Sequence, residues 1–158
     1  MSRPFVASQT NRIDAKGRVS VPASIRNLIT ASGAQSFYAM KSLKDPCLEA
    51  FTAERMAAIH RQIAELTITT DQRRALQQAY FGGSFEISMD PEGRISLPEA
   101  LASFAGINGQ VHFVGAGSRF EMWNPAAHAE RDEAWRAEAA RLSEQLPDPD
   151  FMPPSVLP

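Results

Sequence analysis

Asn11-Arg12-Ile13-Asp14-Ala15-Lys16-Gly17-Arg18-Val19-Ser20-Val21-Pro22 returns later in the chain as Ile87-Ser88-Met89-Asp90-Pro91-Glu92-Gly93-Arg94-Ile95-Ser96-Leu97-Pro98. A shift of 76 carries Asp14, Gly17, Arg18, Ser20 and Pro22 onto Asp90, Gly93, Arg94, Ser96 and Pro98. An internal repeat of this quality makes each copy one supersecondary unit and fixes the architecture before any single residue is weighed. Within each copy, Asp-x-x-Gly spells a tight turn. The aspartate carboxylate accepts backbone N–H groups two or more residues on, and the glycine (Gly17, Gly93) takes the positive φ that closes the loop. Val19-Ser20-Val21 and Ile95-Ser96-Leu97 then alternate apolar and polar, the pattern of a strand with one buried face.

Working outward, Phe5 to Ile13 and Ser84 to Met89 read as strands entering the turns. Pro22 and Pro98 stand where a proline opens a helix without losing a needed donor. Ile25, Leu28 and Ile29 match Leu101, Phe104 and Ala105 as the inward face of a short helix, which stops before Gly33 in one copy and Gly106 or Gly109 in the other. Two more strands follow in each copy, Ser36 to Lys41 with Leu48 to Phe51, and Val111 to Gly115 with Phe120 to Trp123. Leu48-Glu49-Ala50-Phe51 aligns with Phe120-Glu121-Met122-Trp123 at a shift of 72, so the loop before the last strand is expected to be four residues shorter in copy two. A longer helix closes each copy, with Met56, Ile59, Ile63 and Leu66 on one stripe and Trp135, Ala139, Leu142 and Leu146 on the other. Asp71 to Phe81 reads as a connecting helix capped by Thr70.

This divides the chain into a first repeat over 5–66, a connecting helix over 67–82, a second repeat over 83–146 and a proline-rich tail over 147–158, expected to be mobile. The fold class is α+β. Neither three-stranded half covers both its faces, so the economical expectation is two hairpin-plus-helix repeats interleaved about a pseudo-twofold axis into a small β-barrel with flanking helices.

The 158 residues are 44% hydrophobic and 22% charged, a globular composition. One cysteine, Cys47, excludes an internal disulfide and fits a reducing compartment. Nothing at the start reads as a signal peptide, and the uncharged stretch Ala100 to Ser118 carries too many glycines for a membrane helix, so a cytoplasmic protein is expected. The net charge of −2 excludes a protein that coats nucleic acid indiscriminately. That average hides an asymmetry. Residues 10–27 hold Arg12, Lys16, Arg18 and Arg26 against Asp14, a charge of +3; residues 86–103 hold Arg94 against Glu86, Asp90, Glu92 and Glu99, a charge of −3. One copy suits phosphates and the other does not.

The duplicated Asp-x-x-x-Arg motif, with its alternating strand and proline-opened helix, resembles the MraZ family of bacterial transcriptional regulators. The resemblance runs from about Arg12 to Ala137 and is supported by Pro46-Cys47-Leu48 and by Phe120-Glu121-Met122-Trp123. It implies a double AbrB-type swapped-hairpin fold and a sequence-specific, nucleoid-associated DNA-binding regulator. It further implies a ring-shaped homo-oligomer that typically represses the division and cell-wall gene cluster, its own promoter included, at short direct repeats of double-stranded DNA. Carried over by position, the DNA-contacting motif is Asp14 to Arg18, with Asp90 to Arg94 as its second copy. The chain departs from the family pattern in having Pro91 and Glu92 where copy one has Ala15 and Lys16, and in its extension beyond Leu146.

Arg18 is the leading candidate contact, because a guanidinium fork matches guanine edges and phosphate oxygens bidentately. Asp14 holds the turn and aims it; read plainly, the two are a solvated pair worth under about 1 kcal/mol. Arg12, Lys16 and Arg3 are the candidate phosphate contacts. Arg26, on the helix face opposite Ile25 and Leu28, is read either as lying near the DNA or as plain exposed charge, and Arg73 and Arg74 as a solvated pair. The acidic copy, with Asp90 and Arg94, is expected to face a neighbouring subunit or stay off the DNA while the basic copy docks. Repeated subunits would bind repeated sites through effective concentration.

No enzyme is expected. Asp14 and Asp90 each carry an arginine at +4, which favours permanent ionisation over acid–base work. No nucleophile stands beside a base, and His60, His112 and His128 make no metal-ligand spacing with Cys47. No metal, cofactor, membrane or small-molecule substrate is expected. The competing reading is an antitoxin-like interaction module acting through the tail, with Phe151 and Met152 as anchors.

Overall fold

The computed structural model describes residues 3–147, so all of the expected tail except Pro147 lies outside the described residues. The chain falls into two compact units, Met1–Pro125 and Ala126–Pro158. The first carries a series of elements that runs twice: β1 (Ser8–Arg12), β2 (Arg18–Ser20), α1 (Ala23–Thr30), β3 (Ser36–Lys41), β4 (Leu48–Phe51) and α2 (Ala53–Glu65), then β5 (Phe85–Ser88), β6 (Arg94–Ser96), α4 (Glu99–Ala105), β7 (Gln110–Gly115) and β8 (Phe120–Trp123). Between the series lies α3 (Thr70–Gln77), which continues into a π-helical turn, Gln78–Gly82. The second unit is built on α5 (Pro125–Leu142) and a short 3₁₀ turn, Ser143–Gln145.

The two copies interleave. The main sheet runs β1-β7-β8-β4-β3-β5, all antiparallel, and β2 pairs with β6 in a separate two-stranded ribbon. Strands of copy one therefore lie beside strands of copy two at β1·β7, β8·β4, β3·β5 and β2·β6. The registers locate the pseudo-twofold axis, because equivalent residues face each other where it passes. Val19 pairs with Ile95 in the ribbon, and Glu49 pairs with Glu121 in the sheet.

Alternation along the strands assigns the layers. Phe37, Ala39, Leu48, Ala50, Val111, Phe113, Phe120 and Met122 point to one face of the sheet, where they meet Val19 and Ile95 from the ribbon and Ile25, Ile29, Leu101 and Ala105 from α1 and α4. Phe120 stacks edge-on with Phe5 and Phe37, at centroid distances of 5.3 and 5.1 Å, in the favoured T-shaped geometry. Met40 and Phe51 point to the other face, against Ile59 and Ile63 of α2. The ribbon and α2 thus lie on opposite sides of the sheet.

Four sequence expectations are corrected. The four-residue shortening of copy two does not sit in one loop. Two residues go between α4 and β7, which reduces the shift from 76 to 74, and two more leave the β7–β8 hairpin, Ala116 to Arg119 against Ser42 to Cys47. The connecting helix is capped by Thr69, one residue earlier than expected, in a full capping box: Thr69 accepts from Gln72 N–H and Gln72 Oε1 accepts from Thr69 N–H. Arg73 is no solvated surface charge. Its guanidinium donates to the carbonyls of Ile63, which also accepts Leu66 N–H, and, at 3.0 Å, Leu66, capping the end of α2. On α5 no residue is buried, and Trp135 and Leu142 of its expected apolar stripe are exposed, as is Leu146 beyond it.

Candidate nucleic-acid interface

Each motif folds as a three-residue hairpin loop. Asp14 N–H donates to Arg18 O at 2.7 Å and Gly17 N–H to Asp14 O at 3.0 Å, with Gly17 at φ 80°. This is a type I turn followed by a left-handed glycine, the usual three-residue solution for joining antiparallel strands. The second copy repeats it with Asp90 N–H to Arg94 O at 2.9 Å, Gly93 N–H to Asp90 O at 2.9 Å and Gly93 at φ 78°.

The aspartates do two jobs with two oxygens. Asp14 Oδ1 accepts Lys16 N–H at 2.9 Å and Arg18 N–H at 2.8 Å, while Oδ2 accepts Arg18 Nε at 3.0 Å. Asp90 Oδ1 accepts Glu92 N–H and Arg94 N–H, both at 2.9 Å, and Oδ2 accepts Arg94 Nε at 2.8 Å. These donors hold both carboxyls below the ordinary aspartate value. In each, the backbone N–H of the arginine contributes most and outweighs the opposing loss of water. Both groups are therefore ionised acceptors, unsuited to proton transfer near neutral pH. The guanidinium of Arg94 is held above its ordinary value, chiefly by its hydrogen bond to Asp90.

The ribbon then sets where the arginines go. In an antiparallel pair, opposite residues share a face. Arg18 stands opposite Ser96 and Arg94 opposite Ser20, while Val19 and Ile95, at 1% exposure each, point into the core. Arg18, Ser20, Arg94 and Ser96 therefore share the outward face, with the two arginines as diagonal neighbours, about 7–8 Å apart. The β2·β6 ladder sets both motifs on one surface, so the charge difference between the copies falls within a single face. Ser20 and Ser96, which recur at the repeat spacing, belong to that face although sequence reasoning treated them only as strand alternation.

The copies differ in detail. Arg18 has one carboxylate partner, whereas Arg94 has a second contact, Nη2 to Glu92 Oε2 at 3.5 Å. Gly17 is exposed and Gly93 buried. Arg12 and Lys16 are exposed beside the first turn. Arg3 is not. Phe5 bridges to Gly117 while Arg12 pairs with Gln110, so Arg3 lies at the far end of β1, lining a groove with Arg55 and Arg61. The structure does not bring it to the motif face.

Other chemistry is sparse. Cys47 is buried, and burial first, then the charges of Glu121, Asp45 and Glu49, push its thiol well up, away from the reactive thiolate. No group of His, Cys, Asp and Glu able to hold a metal ion, and no helix long and apolar enough to cross a membrane, occurs among the described residues.

Transcriptional regulator MraZ of Azorhizobium caulinodans is 39% identical over 142 residues, spanning 90% of this chain and 88% of that protein. The chain belongs to the MraZ family. The Xanthobacter autotrophicus MraZ protein is 38% identical over 142 residues, again 90% of this chain and 88% of its own length. That of Rickettsia bellii is 38% identical over 115 residues, 73% of this chain and 77% of the relative. A family model described as "MraZ protein, putative antitoxin-like" matches residues 80–144, which include the second Asp90–Arg94 motif of this MraZ chain.

Proposed function

We propose that this MraZ-family chain is a sequence-specific, DNA-binding transcriptional regulator and that the outward face of the β2·β6 ribbon is its contact surface. One observation carries the reading: two turn-held arginines, one from each repeat, are presented side by side on an exposed polar face whose other side is sealed into the core. A two-stranded ribbon is narrow enough for the major groove, where a guanidinium reads guanine O6 and N7. Asp14 and Asp90 fix the arginines before binding, which limits the side-chain entropy lost on contact. Arg12 and Lys16 flank the first turn as phosphate contacts. The relatives' name, transcriptional regulator, agrees with this use of the surface.

The finer reading follows the family resemblance. We take 5–66 and 83–146 as the two repeats, joined through 67–82, and the sheet with its overlying ribbon as the walls of a swapped-hairpin barrel. The chain acts in the cytoplasm at the nucleoid, assembles into a homo-oligomeric ring, and represses the division and cell-wall cluster, its own promoter included, through short direct repeats. Ring assembly supplies what one modest basic patch lacks, because several copies on repeated sites gain by effective concentration. The test is binding of the chain to its own upstream promoter DNA across a salt series. A steep salt dependence with preference for direct repeats supports the reading; indifference to that DNA at low salt refutes it.

The antitoxin-like alternative places recognition in residues 147–158. Under our reading a chain ending at Leu146 keeps its promoter binding; under the alternative the same truncation loses a protein partner that the full chain captures.

A further inference from the structure

Arg26 belongs to α1 of the first repeat, yet its side chain covers the turn of the second. A Cβ built on Gly93 would meet Arg26 Cδ at 2.5 Å and Nη1 at 2.7 Å, so the arginine fills the space a side chain at position 93 would need. Val21 N–H donates to Gly93 O at 2.9 Å, and Arg26 Nη1 donates to Val21 O at a long 3.5 Å, tying α1, β2 and the second turn together. The reverse arrangement does not exist. The repeat equivalent of Arg26 is Ala102, and a Cβ on Gly17 would meet nothing within 4 Å.

The asymmetry matches the charges. The first turn has Lys16 between Asp14 and Arg18; the second has Glu92 at the same place, which leaves Asp90 and Glu92 against Arg94 alone. Arg26 arrives from the other repeat against Gly93, next to Glu92 and Arg94 in the chain, and its charge brings the sum over the second turn to neutrality.

We propose that Arg26 is the phosphate-contacting cation of the second hairpin, supplied across the pseudo-twofold axis by the first repeat. The acidic copy then does not repel the duplex, and both motif arginines engage one stretch of DNA. This deepens the DNA-binding reading and rests on it.

The test uses the full chain and its upstream promoter duplex, with affinity measured across a salt series. Arg26→Met keeps an apolar stem against Gly93 and removes the charge. Its log–log salt slope is expected to be shallower by about 0.9, one phosphate contact, with binding about eightfold weaker at 0.1 M salt than loss of packing alone leaves it. Arg26→Lys is expected to keep the slope. An unchanged slope for Arg26→Met overturns the proposal. Should that variant fail to fold, Ala102→Arg sets a matching cation over Gly17 and is expected to steepen the slope by a similar amount; no change overturns the proposal. Failure of the unsubstituted chain to bind with any salt dependence overturns the DNA-binding reading itself, a separate and recognisable result.

Discussion

At the scale of single residues, the motif is a division of labour between a carboxylate and a guanidinium. Asp14 and Asp90 have folded-state values below the ordinary aspartate value, so the unfolded chain binds more protons as the pH falls. Their contribution to stability is complete above about pH 3.9 and is lost as pH drops through the folded values. Urea unfolding between pH 6 and pH 3 should show the unsubstituted chain losing more stability on acidification than an Asp14→Asn/Asp90→Asn chain. Parallel curves would refute the assignment. Arg18 and Arg94 should also differ. Arg18 has one carboxylate partner and Arg94 two, so Arg18 has more of its fork to offer a base. Arg18→Ala is expected to weaken specific binding about five- to 150-fold, the loss of a bidentate base contact, and Arg94→Ala less. Equal losses in a titration would show that the second carboxylate does not matter. The Asp-to-Arg spacing made this half of the site legible, because both residues are local to one turn. The clasp of Arg26 on Gly93 was not, since it joins residues 67 apart through packing that no local pattern encodes.

At the scale of elements, periodicity revealed what each segment is, and side-chain capping decided where it ends. The stripe of Ile59 and Ile63 and the alternation of Leu48 and Ala50 are visible in sequence because burial selects them at fixed spacing. The start of α3 was misplaced by one residue because two threonines are adjacent and only Thr69 has Gln72 three positions on. Thr69→Ala removes the side-chain half of that capping box, the acceptor for Gln72 N–H, and should cost about 1 kcal/mol in denaturant unfolding. DNA affinity should not change, because α3 packs with α2 on the side of the sheet away from the ribbon. A loss of binding larger than the loss of stability would mean that α3 communicates with the motif face. The role of Arg73 was hidden for a different reason. Its acceptors are carbonyls of the preceding helix, which become available only once the chain has turned back.

At the scale of the molecule, the repeat is duplicated in sequence but indivisible in space. Every strand of copy one has a partner from copy two, and β3·β4 is its one internal pairing. A fragment of residues 1–82 would leave β1 without β7, β2 without β6 and β4 without β8, exposing Val19, Phe37 and Leu48 together. Self-pairing is no escape. Two such fragments joined about the same axis would set Glu49 opposite Glu49, with no counterpart of Arg119. In the intact chain Arg119 approaches Glu49 at 3.4 Å and Glu121 at 2.8 Å across that junction, and Trp123 Nε1 donates to Glu121 at 3.0 Å. Like charges directly opposite on a ladder destabilise it. The fragment 1–82 is therefore expected to show no cooperative unfolding and no dimer by sedimentation. Adding the fragment 83–158 should restore a one-to-one complex with the thermal transition of the whole protein. A folded, monomeric 1–82 would mean that each repeat closes its own core, and the shared axis that brings Arg18 and Arg94 onto one face would lose its physical basis.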